Sequence, residues 1–250
     1  MKNTKTLSGF TLSTLVMLVS YSAFSWSANM PSDPSAGAQQ ISGASQQQTA
    51  DKITEAERQL FLEKHFADTT QKQIDYVYRQ SGPSMEKLDD KVKVDVREHH
   101  NDGTASVNVN FLTGDNHTPI EPIDHAEGNP ALLGFLERDI AQMKRLTGGS
   151  TVYFRKRIRL ALADEKVKVD KVNVNYENKK VAAKRIEIAP YLNDPMKDRI
   201  GKYSAKRYVF ILSPQIPGGV YQVYTSEKFA DNQPAQVDTS MTITGGEIPG

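Results

Sequence analysis

Hydrophobic and polar positions alternate most regularly between residues 92 and 111. Val92, Val94 and Val96 are separated by Lys93 and Asp95, and Val107, Val109 and Phe111 by Asn108 and Asn110. A period of two belongs to a strand with one face buried. Between the two runs, Asp102-Gly103 is a dipeptide that accepts positive φ in a two-residue turn. A hairpin closed there sets Val96 opposite Val109 and Val94 opposite Phe111, so both apolar sets share one face. Ile74, Tyr76 and Tyr78 predict another strand upstream. Before it, Thr54 and Glu57 have capping-box spacing and predict an N-terminal helix leading towards Phe66.

The period changes in the middle of the chain. Asn129 and Pro130 suit a helix start, and Leu132, Leu136, Ile140 and Met143 recur at helical spacing. Gly148-Gly149 ends that helix, and Ser150 caps a second one running to about Ala163, with Phe154, Ile158, Ala161 and Leu162 as its apolar stripe. Strands return at 172–176 and 181–188. The apolar phase of the latter slips from odd to even positions, which predicts a bulge near Lys184. Asn193-Asp194-Pro195 opens one helical turn. Residues 208–212 are apolar on both faces and predict a central strand. Pro217-Gly218-Gly219 then turns into a strand over 220–225.

Both ends of the chain lack these patterns. Lys2 and Lys5 precede an uncharged apolar run over 7–19, and small residues follow around 23–28, the order of a cleaved secretory signal peptide. Residues 28–50, rich in Ser, Gln, Ala and Gly, bury too little apolar surface to fold and read as a disordered linker. Residues 228–250 read as a flexible C-terminal tail. The expected organisation is a signal peptide at 1–27, a linker at 28–50, one α+β domain at 51–227, and the tail. Runs of strands meeting runs of helices predict a mainly antiparallel, curved β-sheet packed against a central helix pair, with an additional N-terminal helix.

Composition narrows the chemistry. The 250 residues include no cysteine and a single Trp, with 31 Lys and Arg against 30 Asp and Glu. Disulfides, thiolate metal centres and cysteine nucleophiles are therefore excluded. Gly148-Gly149 and Gly218-Gly219 lack the context of a phosphate-binding loop, and no GxSxG or HExxH motif occurs. No cofactor is expected. Asp115, His117, Asp124 and His125 fall in one polar loop and are of the types that ligate a divalent cation, although their spacing matches no known set. Glu137, Arg138 and Asp139 read as a solvated helix face or, alternatively, as a polar network buried under the sheet.

Charge is unevenly distributed. Residues 51–130 carry 9 bases and 16 acids, whereas residues 131–213 carry 19 bases and 9 acids. The densest basic stretch is Arg155, Lys156, Arg157 and Arg159, preceded by Lys144 and Arg145; of these, Lys144, Arg145, Arg155 and Arg159 stand out, with Arg155 and Arg159 on one helix face. Arginine suits bidentate contact with phosphate or carboxylate, so these four are candidate ligand-binding residues. The alternative is that the basic half only neutralises the acidic half within the domain. With signal removal the formal charge falls to −1, which gives no drive towards nucleic acid.

Gly128-Asn129-Pro130, the run 135–139, Leu146-Thr147-Gly148-Gly149 and Tyr153-Phe154-Arg155 resemble a family of exported, periplasmic proteins of Gram-negative bacteria to which no activity is assigned. The resemblance spans roughly residues 70–225, implies export and carries no site residues. The expected function is a non-catalytic periplasmic or envelope-associated binding protein. Its basic surface would meet an anionic envelope component or an acidic protein, with no transmembrane segment after processing. Two alternatives accompany it. One is a carrier of a lipid or other apolar ligand, in a pocket lined by Val94, Val109, Phe111, Phe135 and Phe154. The other is a hydrolase with a dispersed site using Asp115, His117, Asp124 and His125.

Overall fold

Among the described residues, ten antiparallel strands form one sheet whose order follows from a single crossover. In the computed structural model, residues 52–82, 85–227 and 236–249 are described. All of them belong to the unit Gln48–Gly250; the expected signal segment and linker lie outside the described residues. The strands are β1 (Gln73–Gln80), β2 (Leu88–His99), β3 (Ala105–Phe111), β4 (Thr118–Pro119), β5 (Ile123–Ala126), β6 (Val169–Tyr176), β7 (Lys179–Ile188), β8 (Arg207–Leu212), β9 (Val220–Glu227) and β10 (Gln236–Ile243). Their order is β4-β3-β2-β1-β10-β9-β8-β7-β6, with β5 also on β3. The chain thus builds one wing outward from β1, crosses over through helices, and builds the other wing inward from β6 until β10 meets β1. The sheet is not closed.

The crossover is the helix pair α2 (Ala131–Thr147) and α3 (Thr151–Leu162); the short helices are α1 (Glu55–Glu57) and α4 (Lys197–Ile200). Asn129 fixes the start of α2. Its Oδ1 accepts from the Ala131 N–H at 3.0 Å, while its amide donates to Tyr76 Oη and to the Gly218 carbonyl, each at 2.9 Å. Gly148 ends the helix at φ +70°, a conformation open to glycine at little cost. Ser150 then caps α3, accepting from the Tyr153 N–H at 3.1 Å. At the N-terminus the capping box of Thr54 and Glu57 is formed, but regular α-helix lasts only to Glu57 before a π-turn over Arg58–Leu62.

Leu132, Phe135, Leu136, Ile140 and Met143 of α2 and Phe154, Ile158 and Leu162 of α3 are buried against one face of the sheet. That face presents Tyr76, Tyr78, Val92, Val94, Val109, Phe111, Tyr208, Phe210, Val223 and Met241, all of them buried. Contact is close enough that a Cβ on Gly134 would lie 2.5 Å from Phe111 Cδ2 and 2.7 Å from Ile120 Cδ1.

Three expectations need correction. In the β2–β3 hairpin, Val94 pairs with Val109 and Val92 with Phe111, two residues from the expected register. One residue of this shift comes from a wider loop, in which His100 N–H donates to the Thr104 carbonyl around Gly103 at φ +81°. The other comes from a bulge at Arg97. Two single-residue shifts restore the parity, so the valines keep their face. No bulge occurs at Lys184: β7 runs in continuous register with β6 and β8. Burial instead passes from Val181 and Ala183 on one face to Ile186 and Ile188 on the other, as the wing curls until Tyr176 bridges Gly246. Finally, residues 236–243, expected in a loose tail, form β10 between β1 and β9.

Candidate functional site

Glu137, Arg138 and Asp139 are consecutive on α2 and about 100° apart around it, so each engages a different element. Glu137 receives a bidentate contact from Arg155 on α3, with Nε to Oε1 at 2.6 Å. Arg138 donates to Asn116 Oδ1 at 3.2 Å and lies over the Tyr78 ring at 5.7 Å. Asp139 enters the core, where Lys206 Nζ donates to its Oδ1 and Tyr208 Oη to its Oδ2, each at 2.6 Å. Tyr191 Oη and Tyr208 Oη are 3.1 Å apart. Lys206 and Tyr208 are fully buried. Burial first, and then the charge of Asp139, holds the Tyr208 hydroxyl protonated far above the usual phenol range. The solvated-face reading thus gives way to a buried network for Asp139. Lys206 is a residue the sequence reading missed; its only signal is a lysine placed immediately before a strand that is apolar from Tyr208 to Leu212.

The four basic candidates separate. Arg155 is half-buried and tied to Glu137, so it is spent on joining the two helices. Lys144, Arg145 and Arg159 are exposed. Arg157, which was not a candidate, lies 2.6 Å from the buried carboxylate of Asp194, the group that also accepts from Tyr153 Oη. Most ion pairs of the basic segment run within it; Lys184–Glu55 and Lys52–Glu165 cross to the acidic segment at 3.8 and 3.9 Å with exposed partners. Pairs of that kind contribute at most about 1 kcal/mol. Because 51–130 builds the β1–β5 wing and 131–213 builds the helices and β6–β8, the charge split along the chain is also a split in space.

At the α2–α3 corner a cleft of about 430 Å³ opens between the Gly148-Gly149 turn and α4. Phe154 and Ile200 form its buried floor, and Lys144, Arg199 and Met196 stand exposed at its rim. Among the described residues, neither Lys144 nor Arg199 has an ion-pair partner. Val152, on the first turn of α3, is also exposed. Apolar and cationic surface therefore adjoin at this corner.

The proposed metal quartet is not assembled. Asp115 and His117 lie beside the Phe111 end of β3, where β4 pairs, whereas Asp124 and His125 belong to β5 at its Ala105 end. His125 instead stacks on His100 with ring centroids 4.1 Å apart, and its Nδ1 is 3.0 Å from Thr104 Oγ1. Among the described residues no group of three His, Asp or Glu side chains is placed to hold a metal ion. The five residues expected to line an apolar pocket are all in the packed core, at 0–6% exposure. Also among the described residues, no helix is long and apolar enough to cross a membrane. No model of a known protein family matches the chain, and no curated protein matches it significantly.

Proposed function

We propose that the protein is a non-catalytic binding protein of the cell envelope, whose α2–α3 corner meets an anionic envelope component. The observation that carries this reading is the corner itself. Lys144 and Arg199 are exposed at its rim beside exposed Met196, Arg145 is exposed in the last turn of α2, and Val152 and Arg159 are exposed along one face of α3, the first at the corner and the second two turns beyond it. Such a surface suits a headgroup phosphate flanked by acyl chain. The N-terminal export pattern supports an extracytoplasmic setting for it.

The test is co-sedimentation with phosphatidylglycerol vesicles, with phosphatidylcholine vesicles as control. Each base near an anionic surface contributes about 1 kcal/mol. The triple variant Lys144→Glu/Arg145→Glu/Arg159→Glu is therefore expected to bind the anionic vesicles more than roughly a hundredfold less tightly, with circular dichroism unchanged. Equal binding by the variant, or equal binding to both vesicle types, overturns the proposal.

A further inference from the structure

Where β9 ends and β10 starts, two buried acidic side chains hold oxygens that have no hydrogen-bond partner among the described residues. Asp238 sits in a bulge between Val237 and Thr239, so Asp238 and Thr239 both oppose Thr225 and turn to the helix-covered face. Glu227, two residues beyond Thr225, ends β9 on that same face. Thr225, Glu227 and Asp238 are 0%, 2% and 1% exposed. Among the described residues, both carboxylate oxygens of Asp238, Oε1 of Glu227 and Oγ1 of Thr225 have no hydrogen-bond partner. The nearest buried ammonium, Lys206, is engaged by Asp139, and Lys202 lies over the Tyr203 ring. On the outer side a cleft of about 470 Å³, lined by Arg79, Lys87 and Asp89, reaches Asp238. Arg79 and Asp89 are paired there at 3.2 Å.

Two adjacent carboxylates buried without donors are costly, since each loses its hydration and repels the other. A single proton removes one of the two charges, and with it their repulsion and the larger part of that group's desolvation cost. We propose that Glu227 and Asp238 form a buried proton-binding site, filled through the Arg79–Lys87 cleft, whose occupancy seats the start of β10. What it seats is the contact of β10 with the turn after β1, where the Ser81 and Gly82 N–H groups donate to the Asp238 carbonyl at 2.8 and 3.3 Å.

The electrostatics agree with this geometry. Burial first, then the charge of Glu227, pushes the Asp238 carboxyl up to about 7; Lys206 and Lys202 oppose the rise and Asp139 adds to it. Burial likewise raises Glu227, against Lys206 and Lys202 and with Asp139. Tyr78, on the same face of β1, is held protonated by burial, its hydroxyl pushed up to about 12. In the unfolded chain Asp238 returns to about 3.9. The proton therefore stabilises the fold fully below about pH 4, and this stability is lost as pH rises to about 7 and is flat beyond.

Between pH 5.5 and 8 the folding constant of the full chain is expected to fall about thirtyfold on account of this site. Urea unfolding at the two pH values reads this change, and Asp238→Asn or Glu227→Gln is expected to shrink it to a few-fold. Carboxyl ¹³C titration of the wild-type chain, with Asp238 assigned through the Asn variant, needs no stable variant beyond that assignment and is expected to show one carboxyl titrating near neutrality. Two carboxyls both titrating below pH 5 overturn the proposal. So does stabilisation at pH 8 by millimolar Ca²⁺ or Mg²⁺ that both variants abolish, since the ligand would then be a metal ion.

Discussion

Asp139→Ala is expected to be among the most damaging single changes in the core. Lys206 is 0% exposed and Asp139 4% exposed, with 2.6 Å between Nζ and Oδ1. Removing the carboxylate leaves the ammonium buried and unpaired, which costs about 3–5 kcal/mol. It also strips Tyr208 Oη of its acceptor, a further loss of roughly 1–3 kcal/mol that overlaps the first. A net cost of about 4 kcal/mol is a large share of the roughly 5–15 kcal/mol that holds a domain together. With a urea slope of about 2–3 kcal/mol/M, the midpoint moves down by roughly 1.5–2 M. The double variant Asp139→Leu/Lys206→Met removes both charges and with them both desolvation costs, so it is expected within about 2 kcal/mol of wild type. Glu137→Ala, one position away, breaks only the part-exposed Arg155 pair and is expected to cost at most about 1 kcal/mol. The reasoning is refuted if Asp139→Ala costs no more than Glu137→Ala, or if the double variant is as unstable as the sum of its single changes.

Two further changes probe the helix pair. Gly134→Ala places a methyl against Phe111 and Ile120, so calorimetry should show a loss of about 1–3 kcal/mol from overpacking despite alanine's better helix propensity. An unchanged or raised Tm would mean that the α2–sheet contact yields. Ser150→Ala removes the acceptor for the Tyr153 N–H, and urea unfolding should report a loss of about 1 kcal/mol, with Ser150→Asp close to wild type.

The sequence by itself determined the periodic elements, because face burial writes itself into local spacing. Val92, Val94 and Val96 and the α2 stripe of Leu132, Leu136 and Ile140 could be read without neighbours. So could the two helix ends, where Gly148 and Ser150 act through their own backbone and side chain. Tertiary structure decided whatever depends on partners distant in sequence. β10 was illegible because its inner positions include Thr239 beside Met241 and Ile243, and its outer ones are the polar Ser240 and Thr242, the latter packed under Gln222, whose amide donates to Thr242 Oγ1, and beside the returning chain at Gly246. The hairpin parity was legible but its register was not, since the wider loop and the bulge at Arg97 offset one another. The basic stretch was visible as composition, yet only packing separates Arg155, spent on Glu137, from exposed Lys144 and Arg159. The charge split followed the same division. Composition located it along the chain, and the sheet order, β1 beside β10 with the wings on either side, turned it into two oppositely charged regions of one molecule.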